Sequence, residues 1–126
     1  MMHKDQMTNT IKLGELSCVY LINVLNEVLY GFRVDYERTL GTAQNEVVLL
    51  FQKLTALCQG RSLDPKAFSV VEAQLMLKCS QLCLAEIDVQ EFATRLGEST
   101  EAASSVNQQL SQYIKGSLST SAGHSV

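Results

Sequence analysis

Tryptophan is missing from this chain of 126 residues, and proline occurs once. Charge is scarce: ten Lys and Arg against thirteen Asp and Glu make 18% of the residues and a net charge of −3. Ten scattered cations on an acidic chain do not form the basic stripe that phosphate neutralisation needs, so nucleic acid is not an expected partner. Long apolar runs are lacking as well. Stretches such as Val19–Ile22 and Val47–Phe51 fall far short of the ~20 residues that cross a bilayer. No apolar segment directly follows His3, Lys4 and Asp5, so the start does not read as a cleaved signal peptide. The expected location is the cytoplasm, or outside the cell by export without a cleaved signal.

What is present reads as one packed domain. The hydrophobic fraction of 46% lies in the globular range, and the length suits a single core. The four cysteines, Cys18, Cys58, Cys79 and Cys83, are too sparse for a disulfide scaffold and read as reduced, half-buried thiols.

The single proline divides the chain nearly in half. In Gly60–Arg61–Ser62–Leu63–Asp64–Pro65, Gly60 suits a helix C-terminus, Asp64 an N-cap and Pro65 the first helical position. That predicts a helical hairpin of two antiparallel arms. After the turn, steps of three and four run through Phe68, Val71, Leu75, Lys78, Leu82, Ala85, Val89, Phe92, Leu96, Ser99, Ala103, Val106, Leu110 and Tyr113. This heptad-like stripe is a seam for another helix. Gly97 can end a helix and Ser99 or Thr100 can cap the next, yet the phase continues, so a single arm to Lys115 would span ~75 Å.

Before the turn, Val47, Leu50, Leu54 and Leu57 repeat the same steps, and Leu21, Leu25, Val28, Leu29 and Phe32 form a further face. The predicted class is all-α, with helices at about 10–38, 43–59, 65–96 and 99–115, a flexible segment 1–9 and a disordered tail 116–126. The helices form either an extended hairpin or a closed four-helix bundle. In the hairpin, Glu46 and Lys78 lie at one height and are expected to pair. Cys58 and Cys79 would lie ~20 Å apart along the axis, too far for a disulfide.

No chemistry-bearing constellation emerges. Cys79 and Cys83 share a helical face, but His3 and His124 are terminal and no second cysteine pair completes a metal site. Glu86, Asp88 and Glu91 read as a solvated face, and the glycines make no phosphate loop. Neither catalytic residues nor a cofactor or metal is expected. The amides of Gln74, Gln81, Gln90, Gln108, Gln109 and Gln112, with the low charge, suit faces that meet other protein. More apolar face is written into the two arms than one antiparallel pair can cover, so the function expected is non-enzymatic protein association, with itself or with another chain.

The Ser62–Leu63–Asp64–Pro65 turn, Leu54–Gly60 before it, and Phe68, Leu75 and Leu82 after it resemble the helical hairpins of bacterial type III secretion needle and inner-rod subunits. The resemblance covers about residues 43–115. It implies a structural or accessory part in a secretion apparatus, linked to virulence and acting as an oligomer. The long segment before Gly41 and the four cysteines depart from that pattern. They keep three alternatives open: a secretion chaperone, a helical adaptor in an unrelated pathway, and a four-helix-bundle enzyme or metal-binding protein.

Overall fold

A computed structural model describes residues 15–58 and 62–124 of the chain. The segment 1–9, the start of the first predicted helix at 10–14, Gly60 of the predicted turn and the last two residues lie outside the described residues.

The fold is all-α apart from one short ladder. Strand β1 (Leu16–Ser17) pairs antiparallel with β2 (Ser62–Leu63), Leu16 opposite Leu63. Helix α1 (Cys18–Asn26) starts on Ser17, whose Oγ accepts the Tyr20 N–H at 3.2 Å. It widens into a π-helical turn, Glu27–Gly31, breaks at Phe32, and resumes as a second π turn, Tyr36–Leu40, capped by the Asp35 carboxylate. The single helix expected at 10–38 is therefore several pieces. Two side chains hold the widened turn: Tyr36 donates to the Val28 carbonyl at 3.1 Å, and Arg95 binds the Glu27 carboxylate and reaches the Gly31 carbonyl. Gly41 ends the second turn at φ +72°, where a side chain would be strained.

Helix α2 (Gln44–Leu57) matches the expected 43–59 closely. The next helix does not begin at Pro65. Asp64 and Pro65 make only a 3₁₀ turn, Pro65–Ala67, and α3 (Val70–Glu86) begins on a capping box at Ser69. There the Ser69 hydroxyl accepts the Glu72 N–H at 3.1 Å and the Glu72 carboxylate accepts the Ser69 N–H at 2.9 Å. Nor does α3 run to 96. Ile87 is extended and buried, and Asp88 caps a new helix, α4 (Val89–Leu96). Gly97, at φ +78°, ends α4, and Ser99 accepts the Ala102 N–H at the start of α5 (Thr100–His124). The tail expected to be disordered from 116 is thus helical as far as His124. Gly116 weakens a helix by only ~1 kcal/mol relative to Ala, and no proline follows it.

The packing replaces the expected hairpin. α5 folds back along α3, antiparallel to it: Ser80 of α3 bonds Asn107, and Phe68, just before α3, bonds Tyr113. The one ~75 Å arm is excluded, because α4 turns the chain between two real caps. α2 packs chiefly on α1 and only slightly on α3, which it meets through a 2.7 Å ion pair between Lys53 and Glu72. α1 is central, against α2, α3 and α4. Its Tyr20, Leu21, Val24 and Leu25, with Val28 of the widened turn, are fully buried and join Phe68, Met76, Phe92, Leu96 and Leu110 in one core.

Cys18, at the first turn of α1, is bonded to Cys58, the residue after α2, with their Cα atoms 5.8 Å apart. The reading of four reduced thiols holds only for Cys79 and Cys83, which are free and buried. Forty residues separate Cys18 and Cys58, and only the return of α2 along α1, fastened by the ladder beside it, brings them together.

Candidate interaction groove

The heptad stripe is divided between the interior and the surface. Phe68, Phe92, Leu96, Val106 and Leu110 are buried, and Leu75, Leu82 and Tyr113 are half-buried. Val71 and Val89 are 74% and 70% exposed. Val71 faces outward because the buried face of α3 runs instead through Ala73, Met76, Cys79, Ser80 and Cys83, turned away from the predicted stripe, and Val89 opens α4, which buries Phe92 and Leu96. Ser80 carries no apolar side chain, so this face has no signal in the heptad pattern.

Ser80 is the clearest omission. The Tyr20 hydroxyl lies 2.5 Å from Ser80 Oγ, and Ser80 donates to Asn107 Oδ1. With the Ser80 proton given to Asn107, Tyr20 is the donor to Ser80. This relay ties α1, α3 and α5 together inside the core. Burial, reinforced by the nearby Cys83 and only partly offset by the Ser80 hydrogen bond, pushes the Tyr20 phenol up to about 12. Burial likewise pushes the Cys79 and Cys83 thiols up to about 12. Burial therefore favours the protonated form of both thiols. Among the described residues no three His, Cys, Asp or Glu side chains stand close enough to share a metal ion. No buried side-chain nitrogen or oxygen among them lacks a hydrogen-bond partner.

Two adjoining recesses open on α3. The larger, about 430 Å³, runs between α3 and α5 and is lined by Gln74, Leu77, Lys78, Gln81, Ser111, Ile114 and Lys115. The smaller, about 160 Å³, lies toward the turn after Leu40 and includes Glu46, Val71 and Leu75. Gln74 and Lys78 border both, so the two read as one trough across α3. The expected Glu46–Lys78 pair is replaced here: both residues line the smaller recess, and Lys78 Nζ instead lies 3.5 Å from the Leu40 carbonyl. The apolar Leu75, Leu77 and Ile114 line the trough together with the amides of Gln74 and Gln81, two lysines, and, in the smaller recess, Glu46.

The predicted turn serves as structure. Asp64 accepts the Lys66 N–H at 2.8 Å, and Pro65 opens the 3₁₀ turn. The acidic run is likewise partly engaged, since Glu91 pairs with Arg95 at 3.4 Å and Glu98 accepts the Ser17 hydroxyl at 3.0 Å. No helix of the described residues is long and apolar enough to cross a membrane. No protein-family model matches the sequence, and comparison with curated proteins and with solved structures finds no match.

Proposed function

We propose that the chain is a non-enzymatic helical interaction module that binds protein through the trough across α3. The observation that carries this is the trough itself: Leu75, Leu77 and Ile114 form an apolar floor, framed by Gln74, Gln81, Lys78 and Lys115. Exposed Val71 extends the apolar surface at one edge. A groove of this composition accepts side chains of an amphipathic helix at spacings of three and four residues. The role within a bacterial secretion apparatus, as a structural or accessory component, rests on the resemblance of the Asp64–Pro65 turn and its flanking helices.

A photo-crosslinking amino acid placed at Gln74, on the rim shared by both recesses, tests the reading in cells against the same group at Gln90, exposed on α4. Discrete protein adducts from position 74, absent from position 90, are expected, and secretion components among them would support the finer role. Equal or absent adducts at both positions would remove the reading. A metal-dependent enzyme is the competing class. Stoichiometric metal in the purified protein would favour it.

A further inference from the structure

We infer that the partner of the larger recess is a second copy of this chain, docked through the exposed corner where α3 passes into α4. The inference rests on the reading that the recess binds protein, and it names the occupant. The recess carries two lysines, Lys78 and Lys115, beside an apolar floor of Leu77 and Ile114, and no carboxylate lines it. Neither lysine is in an ion pair with a described residue. The corner is the complement: Glu86 and Asp88, both exposed, come just before Val89, itself 70% exposed, and Asp88 also accepts the Gln90 N–H as the cap of α4. Two cations beside an apolar hollow are matched by two anions next to an exposed apolar side chain.

Glu86 supports this independently. It occupies the last turn of α3, which contains no basic residue. The partial negative charge of a helix C-terminus disfavours a carboxylate there. Glu86 takes part in none of the ion pairs among the described residues, so local stability gives no reason for an acid at this place. Its own Lys78 lies eight residues back, ~12 Å along the helix, too far for an ion pair within the chain. Knob and hollow are different surfaces, so the contact is heterologous. It repeats head to tail and grows into an open chain of subunits unless the rotation between copies closes a ring.

Light scattering after gel filtration, over a range of concentrations, tests this with charge reversals. Glu86→Lys and Lys115→Glu both alter exposed, unpaired side chains, and Glu86→Lys removes an unfavourable charge from a helix end. Circular dichroism should therefore show both as helical as the parent. The parent is expected to gain mass with concentration at low salt and to lose that gain when the charges are screened. Each single reversal is expected to weaken association about tenfold or more. The chain carrying both reversals restores the opposite pairing and is expected to associate again. Glu101→Lys, which changes net charge equally elsewhere, is expected to leave association unchanged. A parent that stays monomeric, reversals without effect, or a double reversal that fails to rescue would each overturn the inference. Adducts from Gln74 to a different protein, with a monomeric parent, would sink it while leaving the interaction reading standing.

Discussion

Ser80 shows how a small side chain can matter more to this core than its size suggests. It accepts from Tyr20 and donates to Asn107 in a place with no water-facing alternative. Ser80→Ala is expected to leave both partners short and to cost ~1–3 kcal/mol in urea unfolding. Tyr20→Phe removes one donor and leaves Ser80 still bonded to Asn107, so its cost should be smaller. A second expectation follows from the buried acids. Tyr20 is raised from 10.0, and Cys79 and Cys83 from 9.0, each to about 12. A pKa raised by folding means the fold favours the protonated form. That contribution is complete below the unfolded value and lost as pH climbs through the folded one. The unfolding midpoint should therefore fall progressively between pH 9 and 12. A midpoint unchanged across that window would mean these groups are open to solvent. Neither residue role was legible beforehand. A buried serine has no hydrophobic periodicity, and its partners come from elements 60 and 27 residues away in sequence.

At the scale of elements, the local chemistry of the chain was more readable than its long-range stripe. Gly97 and Ser99 mark a real stop and start, as their types indicate. The same grammar is present at Ser69–Val70–Val71–Glu72 and at Asp88–Val89–Gln90–Glu91, each an N-cap with an acid three residues on, and each begins a helix. The heptad count ran through both because it weighs apolar positions and ignores caps. Ser69→Ala breaks the capping box and is expected to cost ~1 kcal/mol by thermal or urea unfolding. Gly97→Ala should cost more, about 1–3 kcal/mol. It forces a side chain into a left-handed conformation, and its Cβ would come within 2.7 Å of Val19 Cγ1. The same residue leaves room for Asn23, whose amide donates to the Leu96 carbonyl at 3.0 Å and closes the end of α4. An Ala variant as stable as the parent would show that α1 and α4 do not meet there.

For the molecule as a whole, the Cys18–Cys58 bridge fastens α1 to α2 beside the two-stranded ladder. Closing a loop of 40 residues restricts the unfolded chain by up to ~4 kcal/mol in the chain-entropy account. Reduction is expected to lower the urea midpoint by an amount equivalent to ~2–4 kcal/mol. The buried pair Cys79 and Cys83 should stay unreactive toward a thiol reagent until the fold opens. An identical midpoint with and without reductant would show that the ladder and the α1–α2 contact hold this crossing unaided.

The sequence by itself determined the helical class, the place of α2, and the stops at Gly41 and Gly97, because propensity and caps act over a few residues. Which faces met was decided only by the tertiary structure. Once α1 took the centre, α3 turned Ala73, Met76 and Ser80 inward and left Val71 outside, and α4 turned Phe92 and Leu96 inward and left Val89 outside. α5 folded back on α3, and Lys78 and Lys115 came to rim one hollow. Lys78 and Lys115 are 37 positions apart in the chain, a separation no local pattern can bridge.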